Sequence, residues 1–387
     1  MKKISGLIFA GMFLFSCSPG KKTSMTVTVE NTVGFDRVAD LVEIPLDSIK
    51  TKVILTDSAV YTVKNSAGEI IPSQVTYDRK LIFQPELKAG ESKSFVIATG
   101  TAQSYASKTY GRFITERKDD FAWENDRVAF RIYGPALIEI DGPSNGLDIW
   151  YKRTNALIID KWYKADLAGE ASYHEDHGEG FDDYKVGRSL GAGAMAPYTN
   201  GKLWLNENFA AEEILDNGPL RTTFKLTYKD LLVDGKSVAE NRTISIDAGS
   251  QLSKIVQAYT IKEPMQVAAG IVKRENNDSI ISTDKYVIYS EPKSDKAGNV
   301  YLALVFPEGI SGSIVDAYTV DNPKTKKKDA YSHVLAITTQ QPNIPVTYYT
   351  GYGWSEFGFV AVADFEKYVK EFSEGLKVPL VVTYNAD

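Results

Sequence analysis

The sequence predicts an all-β protein, a large antiparallel β-supersandwich with one short helix near its C-terminus, and three observations carry that expectation. Short apolar runs alternating with period 2 recur along the chain, turn-forming Gly, Asn and Pro clusters separate them, and a helical period appears once, late.

The chain opens on a leader. Lys2 and Lys3 make a positive start and Ile4 to Phe15 an apolar stretch too short to span a bilayer as a helix. It ends in Leu14-Phe15-Ser16-Cys17, a small residue before the only cysteine, which resembles a bacterial lipobox. Residues 1–16 are therefore expected to be a signal peptide and Cys17 the lipidated mature N-terminus, on a tether over residues 17–24. The mature chain then holds no cysteine and no disulfide, so its core alone must stabilise it. This places the protein outside the cytoplasm, lipid-anchored to a membrane, periplasmic or at the cell surface.

Residues 25–100 read as an N-terminal β-sandwich portion, from Thr26-Val27-Thr28-Val29, Leu41-Val42-Glu43-Ile44, Val60 to Val63, Leu81-Ile82-Phe83 and Phe95-Val96-Ile97. The polar stretch Thr101 to Thr109 makes a boundary. Residues 110–387 form the main domain, with strands expected at Arg127 to Tyr133, Thr222 to Tyr228, Arg242 to Ile246, Lys254 to Ile261, Lys285 to Ser290, Tyr301 to Phe306, Val334 to Thr338 and Phe357 to Val362. The helix follows: Asp364 can cap it, Phe365, Tyr368, Val369 and Phe372 share one face, and Gly375 can end it. Val378 to Tyr384 returns as a strand.

The formal charge of −6 is mild and the charges are interspersed, so nothing suggests a nucleic-acid surface and no nucleic-acid partner is expected. The one basic run, Lys324 to Lys328, reads as a solvated hairpin tip. Tyrosine, phenylalanine and tryptophan number 22, 17 and 5; such rings suit two-sided sheets and also stack on sugars, so composition does not choose between these uses.

The chemistry concentrates between Trp150 and Gly193. Two of the three histidines, His174 and His177, fall in Tyr173-His174-Glu175-Asp176-His177-Gly178-Glu179-Gly180-Phe181-Asp182-Asp183-Tyr184. Histidine exchanges a proton near neutral pH, and neighbouring carboxylates can orient it. His174, His177, Glu179 and Tyr184 are the candidate catalytic residues. His174, His177 and Glu179 are equally a candidate ligand set for a divalent metal, zinc or calcium. Gly178 and Gly180 make the run a loop, unlike a helical zinc-protease motif. Lys152, Arg153 and Lys161 can meet a carboxylate or sulfate, and Trp162, Asp183, His333 and Trp354 complete the expected substrate-binding set. The bland alternative for the whole run is a solvated acidic loop.

Six segments, Asn31 to Pro45, Asp120 to Pro135, Asp160 to Lys164, Tyr173 to Gly187, Gly218 to Phe224 and Tyr348 to Trp354, resemble the exported family known as domain of unknown function 4861. The resemblance spans nearly the whole mature chain, and Ala194 departs from it where another glycine is expected. It implies a galactose mutarotase-like supersandwich and a place in polysaccharide degradation, beside enzymes that process unsaturated uronic acids.

Together these readings give a carbohydrate-active enzyme, a lyase or dehydratase acting on uronate-containing oligosaccharides. Hydrolysis by Glu179 and Asp183 and sugar mutarotation are alternatives on the same fold. The rival from another class is a non-catalytic glycan-binding lipoprotein, resting on Trp162, Trp354 and the tyrosines. The partner in every case is an oligosaccharide or polysaccharide.

Overall fold

A computed structural model describes residues 23–50, 60–321 and 326–385. The leader, Cys17 and most of the tether lie outside the described residues.

The alternating runs become strands, and every strand pair is antiparallel. An N-terminal sandwich packs a five-stranded sheet on the three strands Val42–Pro45, Lys80–Phe83 and Ser73–Val75. Val27, Val29, Ile44, Val63, Phe83 and Ile97 point inward from both layers and form its core. Its outermost strand is the last of the chain: Val381–Tyr384 pairs with Ser24–Glu30. The boundary drawn from sequence is corrected here, because the chain's end belongs to the N-terminal unit.

The main unit is a supersandwich. An eight-stranded sheet running from Ala211–Asn217 at one edge to Ser279–Ser282 at the other faces a five-stranded sheet centred on Met265–Val272. A second five-stranded sheet packs into the same core, in the order Gly180–Phe181, Leu147–Lys152, Ala129–Ile132, Asp120–Asn125, Thr109–Ile114.

The late helix spans Val362–Lys377 and buries Phe365 and Val369 against Leu252, Ile288, Ala303 and Val305, on the outer face of the eight-stranded sheet. Asp364 lies one turn in, where its carboxylate accepts the Ala361 N–H at 2.9 Å. The helix runs past Gly375. Arg37 of the N-terminal sandwich satisfies the terminal carbonyls, donating to Gly375 at 3.1 Å and Val378 at 2.6 Å. Phe357 to Val362 is no strand: Phe359 turns inward onto Phe365 at 5.2 Å and the chain enters the helix. A further helix, Ile159–Leu167, lies inside the histidine-rich region. Among the described residues no helix is long and apolar enough to cross a membrane.

Candidate active site

The smaller five-stranded sheet of the main unit has two buried faces of opposite character. Alternation sends Phe121, Trp123, Phe130, Ile132, Leu147, Ile149 and Tyr151 into the main core. The other face carries Asp120, Glu124, Arg131, Asp148 and Lys152 among Ala122, Ala129 and Trp150. The helix Ile159–Leu167 covers it, laying Ile159, Trp162 and Tyr163 on Trp150, with Tyr173 from the histidine loop alongside. Burying so many charges costs desolvation that only close partners offset.

Arg131 is the centre. It stands directly across the ladder from Asp148, and its Nη2 lies 2.5 Å from Asp148 and 2.7 Å from Asp182. Its guanidinium also lies 5.0 Å from the Tyr133 ring and 5.3 Å from that of Trp150. Its Nε and Nη1 meet no hydrogen-bond partner among the described residues, and neither do Oδ1 of Asp148 and the Tyr163 hydroxyl. Such a group of orphaned polar atoms marks a site whose partners come from solvent or ligand. Burial raises the Asp148 carboxyl, more than the Arg131 charge lowers it. Burial raises Asp120 too, against the pull of Arg131 and Arg117.

His174 sits above this group. Its Nδ1 lies 3.0 Å from the Asp182 carbonyl and 3.6 Å from the Asp182 carboxylate. A carbonyl only accepts, so Nδ1 donates to it, and Nε2 is the ring nitrogen left outside that bond. The side chain is 58% exposed. Tyr173, whose ring lies 4.4 Å from the imidazole, accepts a hydrogen bond from Arg117 Nε at 3.3 Å. Arg117 in turn lines a cavity of about 320 Å³ with Tyr133, Ser144, Gly187, Arg188 and Tyr331. Tyr133 links cavity and cluster, its hydroxyl 3.5 Å from Arg131 Nη2. Burial pushes that phenol far up, so it stays protonated.

The loop presenting His174 is pinned on its remaining sides. Gly180, at φ +115°, pairs with Lys152 so closely that a Cβ would meet the Tyr151 carbonyl at 1.8 Å. Arg153 binds Asp176 at 2.5 Å and Lys161 binds Glu179 at 2.7 Å, while Lys296 bridges the His174 carbonyl and Asp183, each at 3.0 Å. The Lys161 hydrogen bond holds Glu179 below the usual carboxylate range. Arg153, Lys161, Glu179 and Asp183 are thus occupied with one another and with the loop.

Other sequence-derived assignments need correcting. Lys152 is wholly buried and donates to Glu124 at 2.7 Å and to the Asn125 carbonyl, so it cannot reach a substrate. Trp162 is buried against Trp150. Trp354 is buried against Tyr151 and donates to the Ala297 carbonyl at 2.5 Å. Tyr184 is buried beneath the Arg274 guanidinium. His333 lies inside another sheet, accepting the Leu190 N–H at 2.9 Å. His177 is exposed, held by Nε2 to the Ser172 carbonyl at 3.1 Å. His174, His177 and Glu179 therefore turn to three different partners, and among the described residues no cluster of three or more His, Cys, Asp and Glu could hold a metal ion.

Sequence reasoning missed Arg131, Asp148, Asp182, Arg117 and Tyr133. Arg131 gave no signal in the sequence, because it takes the polar phase of the alternating run Arg127 to Tyr133, as an ordinary strand residue does.

Residues 29–382 match the family described as "Domain of unknown function (DUF4861)". A relative called "Uncharacterized protein P7", from Formosa agariphila, is 29% identical over 416 residues, covering 99% of this chain and 100% of that protein. Two solved structures share the fold, a protein in glycosyl hydrolase family 38 and an alpha-mannosidase, both from Enterococcus faecalis. Each superposes with a TM-score of 0.51 over 95% of this chain, at 11% and 10% identity. The chain spans about half the length of those two, 48% and 46%.

Proposed function

This chain belongs to the DUF4861 family, and we propose that it is a carbohydrate-active enzyme of polysaccharide degradation, a lyase or dehydratase acting on uronate-containing oligosaccharides. The single observation that supports it best is the His174–Asp182–Arg131–Asp148 chain beside a cavity lined by Arg117 and Arg188. An imidazole fixed through Nδ1, with its other nitrogen exposed, is arranged to accept a proton.

Elimination beside a uronate requires three services. Arg117 and Arg188 neutralise the carboxylate and so acidify the adjacent C–H bond. His174 Nε2 takes that proton, and the electron pair of the C–H bond forms the new C=C bond. The bond from the neighbouring carbon to its oxygen breaks, and the Tyr133 hydroxyl gives its proton to the departing oxygen. Atoms and charge balance without water. Asp182 and Arg131 are positioning residues, holding the histidine tautomer and each other. Trp162 and Trp354, the two tryptophans named for the binding-lipoprotein reading, are buried and offer it no platform.

The same reading includes an address: export and attachment to a bacterial membrane through Cys17, tested by Cys17→Ser, which should release the protein from membranes. For the reaction, uronate oligosaccharides are incubated with the protein and followed by ultraviolet absorbance and mass. New absorbance from a conjugated alkene with no gain of water mass is expected, and His174→Ala should slow it by a factor on the order of 10²–10⁴. A product heavier by one water makes the enzyme a hydrolase. Glycan binding without any change of mass makes it a binder.

A further inference from the structure

Arg188 lines two hollows at once. The first is the cavity beside Tyr133; the second, of about 330 Å³, is walled by Lys202, Trp204, Leu231, Asp316 and Tyr318. Each lies at the small end of the range for ligand pockets. The backbone at the junction is built with care. Tyr318, from the second hollow, donates its hydroxyl to the Arg188 carbonyl at 2.7 Å, and Tyr331, from the first, accepts the Arg188 N–H at 3.1 Å. The two tyrosine rings lie 5.9 Å apart. Gly187, at φ +57°, makes this possible, since a Cβ there would sit 2.4 Å from the Tyr331 hydroxyl. The Arg188 side chain is half-buried, and the lining of the first hollow also includes Asp141 and Asp329.

The second hollow also has the furniture of a sugar site. Trp204 is half-buried, its Nε1 donating to Thr199 Oγ1 at 2.7 Å, which fixes the ring plane. The exposed Lys202 ammonium lies 3.6 Å from the ring centroid. Asp316, half-buried in the same lining, can accept hydroxyl hydrogen bonds. An aromatic face, a cation and a carboxylate suit a hydroxylated ring that bears an acidic group.

The geometry points to a two-subsite cleft for an anionic oligosaccharide, in which a terminal disaccharide unit occupies the Tyr133 cavity, the sugars that follow it rest in the Trp204 hollow, and Arg188 clasps an acidic group at the junction. This rests on the Proposed function for the identity of the first subsite. It adds the length and charge pattern of the substrate.

The test is calorimetric, so it does not depend on turnover. Uronate disaccharide and tetrasaccharide are titrated into wild type, Trp204→Ala and Lys202→Ala. The tetrasaccharide should bind wild type at least about tenfold more tightly than the disaccharide, with the advantage lost in both variants and disaccharide affinity unchanged. Lys202 is exposed, so its variant still decides the matter if Trp204→Ala fails to fold. Equal affinity of the two ligands for wild type, or an undiminished tetrasaccharide advantage in Lys202→Ala and in folded Trp204→Ala, would overturn the second subsite. Chain-length dependence without elimination would leave the subsite standing and remove the lyase reading alone.

Discussion

Lys152 and Arg131 are two buried cations on one face of one sheet, and they differ in what is left over. The Lys152 ammonium meets Glu124 and the Asn125 carbonyl, while Glu124 also accepts the N–H groups of Ile158 and Ile159 at 2.7–2.9 Å, where the covering helix starts. Neither Lys152 nor Glu124 keeps a buried polar atom without a partner. Arg131 instead places one nitrogen between two carboxylates and leaves two nitrogens without partners. A closed ion pair anchors a helix; the open one holds Asp148 and Asp182 together beside Tyr133, which lines the cavity. Buried charge by itself therefore says little about function, whereas unspent hydrogen-bonding capacity in buried charge says much more.

The sharpest way to break that contrast is to open the closed pair. Glu124→Gln leaves Lys152 charged and poorly matched, and should cost about 3–5 kcal/mol in denaturant unfolding while the folded fraction keeps its activity. If stability stays unchanged, Lys152 is not the anchor described. Next comes Asp182→Asn, which keeps the backbone carbonyl but removes the carboxylate between Arg131 and His174. We expect a loss of about 10–100-fold in kcat at nearly constant KM. A pure KM effect would assign Asp182 to substrate binding.

The third test uses a buried group with no charge to pair. Burial chiefly, with some help from Arg274, lowers His333 from 6.5 to about 3. The unfolded chain then takes up the proton first, so this contribution is intact above the ordinary histidine value and is lost as pH falls from 6.5 toward 3. At pH 5 the loss should be about 2 kcal/mol, seen as a steeper acid limb in thermal melts. His333→Gln keeps an acceptor for Leu190 and should flatten that limb. The smallest effect belongs to Lys161→Ala: its side chain is 65% exposed, so loss of the Glu179 pair should change stability by under about 1 kcal/mol. A larger change would show that the loop's outer pins matter as much as its buried ones.

Much of the fold was legible because period 2 is a direct imprint of a two-sided sheet. The helix Ile159–Leu167 was readable as well, with Ile159, Trp162 and Tyr163 at helical spacing, but its charges drew attention as chemistry instead. Of the site, His174 was visible because histidine is scarce here. Arg131 and Asp148 were not, since each looks like an ordinary strand residue until the register sets them face to face. Lys152, Trp354 and His333 were attractive as residue types, and only burial shows that all three lie away from the surface.

The strand Val381–Tyr384 has a consequence for how the molecule comes into being. Asn385 Nδ2 donates to Thr28 Oγ1 at 3.0 Å across 357 residues of sequence. The strand Ser24–Glu30 thus waits on Val381–Tyr384, and that side of the N-terminal sheet stays open until those residues are made. Closing so wide a loop costs little more free energy than closing a moderate one, because the entropy grows only logarithmically, but it takes far longer to find. The pairing is a clasp between distant stretches of sequence, and loss of Val381–Tyr384 would keep the supersandwich and expose a sticky sheet edge at Ser24–Glu30.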